Sequence, residues 1–143
     1  MTRRLMEILC GASIRSFRLI EGGGLILYFG NRLGPQTEQE ATRLWIESAW
    51  RLCSSHRIVA GSLDAPDSLL PRLNELKGRC VDIVRLDGCV GDIILGLESE
   101  WVIESFTRST ADEQWQLRLP NGFRLGLDAQ LHLCESTEKP DEC

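Results

Sequence analysis

Residues 76–105 read LKGRCVDIVRLDGCVGDIILGLESEWVIES, and the start of the chain reads like a second version of them. With Leu76 set on Leu9, Gly78 falls on Gly11, Val81 on Ile14, Val84 on Phe17 and Leu86 on Leu19. After one extra turn residue, Ile93, Leu95 and Leu97 fall on Leu25, Leu27 and Phe29. Each stretch then reaches the tripeptide Ile-Glu-Ser, at 46–48 and at 103–105, the first by a longer loop. The expectation is a duplicated, strand-rich unit, with repeats at about 3–64 and 67–134 inside a single domain spanning 1–135.

Each repeat opens with a short helical pattern, at 3–9 and 67–76, and a glycine follows each one as a C-cap should. In the second, Asp67 or Ser68 is the candidate N-cap, and Leu69, Leu70, Leu73 and Leu76 share a face at helical spacing. Pro71 sits early enough in that helix to be tolerated. Alternating apolar residues then predict a hairpin in each repeat. The run Val81, Ile83, Val84, Leu86 implies a bulge, Asp87-Gly88 is a turn signal, and Leu25, Leu27, Phe29 and Ile93, Leu95, Leu97 are the returning strands.

Residues 37–53 carry two conflicting signals. Thr37 and Glu40 fit a capping box, and Ala41, Leu44, Trp45, Ser48, Ala49, Leu52 and Cys53 recur at three-four spacing, as on an amphipathic helix. The counterpart at 101–106 is rich in β-branched and aromatic residues and argues for a third strand in each repeat. A helical piece at 37–43 running into a strand at 44–51 reconciles the two. Strands at 114–119 and 123–127, around the turn Pro120-Asn121-Gly122, and a third at 130–134 make a closing meander. The polar end, ESTEKPDEC, predicts a flexible acidic tail at 136–143. The fold class expected is α+β, mostly antiparallel β. Two related hairpin and meander units would pack together with one to three short helices, since an isolated hairpin is marginal in water.

The 143 residues suffice for one buried core without metal or disulfide. An apolar share of 43% and a charged share of 26% are those of a globular protein rather than a disordered one. No apolar run reaches the ~20 residues of a membrane helix, and MTRRLMEILCG is too short in apolar residues for a secretory signal, so a cytoplasmic location without membrane contact is expected. Cys10, Cys53, Cys80, Cys89, Cys134 and Cys143 contain no CxxC pair and read as reduced thiols, most of them in the core, with Cys143 exposed. With only His56 and His132 to help them, no metal or other cofactor is implied. Charge is uneven. Residues 1–72 hold 9 Lys/Arg and 7 Asp/Glu, whereas residues 73–143 hold 7 and 14, which disfavours nucleic acid and favours a basic protein partner.

Leu-x-Gly followed by alternating apolar positions, the returning strand DIILGLE and the segment EQWQLRLPNGF together resemble a family of small bacterial proteins filed as a domain of unknown function. The resemblance covers roughly residues 9–132. The sequence departs from it at Asp112-Glu113, where an aromatic residue is common, and in an insertion at 34–43. Members resemble immunity proteins of bacterial toxin systems in size, acidity and lack of a catalytic motif. The resemblance therefore implies protein binding and supplies no catalytic residues.

The residues themselves offer little chemistry. Ser54-Ser55-His56 sets hydroxyls beside an imidazole but lacks a nucleophile elbow and reads as a surface loop. Glu47 and Glu104 hold equivalent places if the tripeptides correspond, so two carboxylates could meet and share a proton; pairing with Arg51 and Arg108 is the plainer alternative. The glycines at 22–24 lack the context of a phosphate loop. Four tryptophans are many for this length; at least two are expected to fill a core, and Trp50 or Trp101 is a candidate exposed anchor. Glu98, Glu100, Glu104, Asp112 and Glu113 form an acidic segment that could steer a cationic partner. No catalytic residue is expected. The sequence points to a non-enzymatic module that blocks a basic toxin domain through Glu98, Glu100, Trp101, Glu104, Asp112, Glu113 and Trp50. A self-associating domain forming a homodimer through an exposed strand edge is the alternative.

Overall fold

In the computed structural model, residues 2–30, 41–47, 49–87, 91–98, 100–106, 114–127 and 133–137 are described. The chain runs α1 (Thr2–Leu9), β1 (Ser13–Leu19), β2 (Leu25–Gly30), β3 (Thr42–Ile46), β4 (Ala49–Ser54), β5 (Arg57–Gly61), α2 (Pro66–Asn74), β6 (Val81–Leu86), β7 (Ile93–Leu97), β8 (Trp101–Phe106), β9 (Trp115–Arg118), β10 (Phe123–Leu127) and β11 (Leu133–Thr137). The strands form two antiparallel sheets, ordered β1-β2-β3-β9-β10-β11 and β5-β4-β8-β7-β6. The α+β, mostly antiparallel class follows directly.

The expected hairpins are present, and both carry a bulge. The β1–β2 register shifts between Ile14 and Ser16, and the β6–β7 register shifts between Val81 and Ile83. Burial alternates along β8 and β9, as a strand with one covered face requires. One apolar cluster joins the sheets: Leu27, Leu44, Trp115 and Leu117 from the first meet Trp50, Leu52, Leu95 and Ile103 from the second, with Leu5 and Leu9 of α1 and Leu69 and Leu73 of α2 closing it. Helix α2 starts at Pro66, earlier than the Asp67 or Ser68 cap implies. Ala65 takes the cap position without a side-chain bond, and the fixed φ of Pro66 already suits the first helical residue.

Two differences from the sequence reading matter for function. The halves do not form separate sheets, because strands β4 and β5 of the first half extend the β6–β8 sheet, while β9 and β10 of the second extend the β1–β3 sheet. Residues 42–46 and 49–54 form two strands in place of the single strand expected at 44–51, and Thr42 and Arg43, expected at the end of the helical piece, are already strand. The three-four spacing arises because the two strands enter different sheets, so that Leu44 and Ile46 face the core from one side and Trp50 and Leu52 from the other. The capping residues Thr37 and Glu40 lie outside the described residues. The last strand runs to Thr137, beyond the expected end at 134, which takes Ser136 and Thr137 out of the tail.

The sheets touch at one corner by backbone bonds. Gly11 N–H donates to Val81 O (2.8 Å), Gly78 N–H to Ile14 O (2.7 Å), Ile14 N–H to Arg79 O (2.9 Å) and Val81 N–H to Ala12 O (2.8 Å). The offset that carries Gly11 to Gly78 also carries Ile14 to Val81 and Ala12 to Arg79, so these four bonds exchange among themselves. Gly11 and Gly78 sit at φ +88° and +86°, where a side chain is strained. The tripeptide match does not survive the pairing. Ile46 lies opposite Leu25, whereas Ile103 lies opposite Leu95, the partner position of Leu44 opposite Leu27. Glu47 and Glu104 therefore do not hold matching places.

A candidate binding groove on the five-stranded sheet

The outer face of the β5-β4-β8-β7-β6 sheet carries a groove of about 440 Å³ lined by Arg51, Cys53, Ser55, His56, Ile58, Glu100, Val102 and Glu104. Its floor follows from the register. Ile58 pairs with Cys53, Cys53 with Val102, Val102 with Gly96 and Gly96 with Ile83, which lays an apolar row across all five strands. Both ends of that row are open to solvent, Ile58 at 63% and Ile83 at 45% exposure. The next row holds Arg51 opposite Glu104 and Glu104 opposite Ile94.

Arg51 and Glu104 form the polar wall. Both Nε and a terminal nitrogen of Arg51 lie 2.7 Å from the same Glu104 oxygen, and the guanidinium also stacks 4.5 Å from the Phe106 ring centre. At the end of the groove, Ser55 and His56 make a two-residue turn between β4 and β5, at φ 49° and 67°. Positive φ at both turn residues matches the twist of the flanking strands. The Ser55 N–H reaches Glu100 O at 3.4 Å, which holds this turn against the chain between β7 and β8.

Burial pushes the Cys53 thiol above its ordinary range, the Glu104 charge adds to this, and Arg51 pulls the other way. A thiol held protonated is a poor nucleophile. Among the described residues, no group of three or more His, Cys, Asp or Glu side chains is placed to hold a metal ion, and no helix is long and apolar enough to cross a membrane.

Of the residues singled out in the sequence, Glu100 and Glu104 come together in the groove. Glu98 does not, because it caps the start of β6. Its carboxylate accepts the Cys80 N–H at 3.1 Å and pairs with Arg79 at 3.3 Å. Asp112 and Glu113 lie outside the described residues. The exposed-anchor reading of the tryptophans is corrected: Trp50 is 2% and Trp101 7% exposed, both inside the core cluster. Alternation along β4 and β8 puts the flanking charges Arg51 and Glu100 on the face opposite the indoles. Trp50 donates from Nε1 to Gly23 O at 2.8 Å, and Trp115 donates from Nε1 to Gly91 O at 2.8 Å, so each indole pins the turn of a hairpin. The exposed apolar residue of the site is Ile58. Nothing in the sequence marked it, because β5 lacks a clean alternation and the turn before it holds Ser55 and His56 where asparagine and glycine are the usual signal.

No family model, no curated protein and no solved structure matches this chain.

Proposed function

We propose that this chain is a non-enzymatic protein-binding module, most concretely an immunity protein that neutralises a cognate bacterial toxin by covering its active surface. The face it uses is the groove on the five-stranded sheet. The observation that carries this reading is Ile58, a large apolar side chain 63% exposed, set in a groove with the carboxylates of Glu100 and Glu104. A desolvated apolar centre beside polar groups is the usual anatomy of a protein interface. The acidic second half would attract a basic partner at long range.

The test is co-expression with the C-terminal domain of a large secreted toxin encoded immediately upstream. The expected result is a one-to-one complex that weakens with salt and is lost in Ile58→Asp and Glu100→Lys. A complex indifferent to both substitutions removes the groove from the reading, and the absence of a complex removes the immunity role. A self-associating domain is the second reading, favoured by the position of β5 as the last strand of its sheet. Sedimentation showing a monomer at every concentration would eliminate it.

We also read the two halves as copies of one unit. The exchanging corner bonds, the two bulged hairpins and the two indole-to-turn bonds support this reading. In it, the first three strands of each copy build a sheet that the other copy's next strands complete.

A further inference from the structure

The outer face of the other sheet carries a different pattern. Register places Tyr28 opposite Arg43, Arg43 opposite Arg118, and Arg118 opposite Arg124, so three arginines from β3, β9 and β10 stand in one row on adjacent strands. They share a face, because directly paired residues project to the same side of a sheet. Leu44, Leu117 and Leu125, each next to one of them in sequence, are fully buried on the core side. All three arginines are half-buried.

Like charges directly opposite one another destabilise a sheet, and this row sets two such pairs side by side in a chain of net charge −5. What orients the middle guanidinium is neutral: Arg118 Nε donates to Gln116 Oε1 at 2.6 Å, and its Cζ lies 5.8 Å from the Trp45 ring centre. Arg43 Nε is buried and has no hydrogen-bond partner among the described residues. A further arginine borders the row, since the stem of Arg15 lies over Gly30, one outward position beyond Tyr28, so closely that any side chain at Gly30 would collide with it.

We propose that the row Arg43, Arg118 and Arg124 is a binding site for a phosphate-type oxyanion. Neighbouring strands lie ~4.8 Å apart, so guanidiniums on adjacent strands can reach the oxygens of one phosphate group from either side, and three strands match two linked phosphates. The planar fork of arginine suits such oxygens through paired, charge-assisted hydrogen bonds. An anion here relieves the repulsion along the row and satisfies the buried Arg43 donor. The site lies on the sheet opposite the Ile58 groove, so it stands or falls independently of the toxin-binding reading.

The test is calorimetric titration of the whole chain with inorganic pyrophosphate, repeated on Arg118→Gln, with sodium chloride at matched ionic strength as the control. Arg57→Gln, on the other sheet, serves as the charge-matched variant. The expected result is saturable one-to-one binding that Arg57→Gln leaves unchanged. Arg118→Gln should weaken it by about tenfold or more, since hydrogen bonds to charged groups are worth ~1.5 kcal/mol or more each. A parallel thermal scan should show pyrophosphate raising the midpoint of the parent chain above that in sodium chloride. No saturable binding, or equal binding by the Arg118 and Arg57 variants, overturns the proposal. So does a midpoint that rises as much in sodium chloride, because the row would then be an electrostatic strain that simple screening relieves.

Discussion

Replacing Trp115 by phenylalanine tests whether the indole N–H or only the bulk of the ring holds the β6–β7 hairpin turn. Trp115 is 1% exposed and donates to Gly91 O at 2.8 Å. Losing that bond while leaving the carbonyl behind costs about 1 kcal/mol. The smaller ring vacates roughly 40 Å³, worth about 1 kcal/mol of cavity at ~24 cal/mol per Å³. Lost apolar burial adds about 1 kcal/mol. The total is about 3 kcal/mol, or a fall of roughly 6–12 °C in the thermal midpoint for a chain of this length.

Trp101→Phe is the control, because it removes the same atoms from a comparable site. The Trp101 Nε1 is buried without a hydrogen-bond partner among the described residues, so losing it relieves an unsatisfied donor worth ~1–3 kcal/mol. Packing loss and relief should nearly cancel, leaving this variant within about 1 kcal/mol of the parent. Urea denaturation followed by far-ultraviolet circular dichroism, with unchanged slopes, measures both. Equal losses in the two variants, or a loss below about 1 kcal/mol for Trp115→Phe, would refute the reasoning.

The exchange of strands between halves predicts that segments 1–64 and 65–143 show no cooperative unfolding when expressed alone. Mixed together, they should recover the circular dichroism of the whole chain. Gly11→Ala and Gly78→Ala should each lose about 1 kcal/mol in urea denaturation, because each alanine finds open space but a positive φ; near-zero losses would mean the corner relaxes freely. Cys53 should react with iodoacetamide at pH 8 more slowly in the folded chain than in urea, since its thiol is raised by burial first and by Glu104 second. Below the unfolded thiol pKa of ~8.5 both states hold the proton and the contribution to stability is fully present; above it the unfolded thiol ionises first, and the contribution is lost progressively as pH rises through the raised folded pKa. The parent should therefore lose stability relative to Cys53→Ser as pH rises past that value, and parallel pH profiles would contradict this.

The sequence by itself determined the local pieces. Alternation in residues 25–29 and 93–97, glycines at 11 and 78 after short helical runs, and the Pro-Asn-Gly turn each encode a conformation through contacts a few residues away, and each is present. It also placed the acidic residues, two of which line the groove. Tertiary structure alone decided which strands pair across the halves, and so which side chains share a face. Pairing is set by register, and a displacement of two residues keeps every apolar side chain inward while moving it to a new partner, as Ile46 and Ile103 illustrate. For the same reason the row of Arg43, Arg118 and Arg124 was invisible in one dimension. It depends on β3 lying beside β9, strands far apart in the chain, and the shared core dictates that arrangement where local propensity cannot.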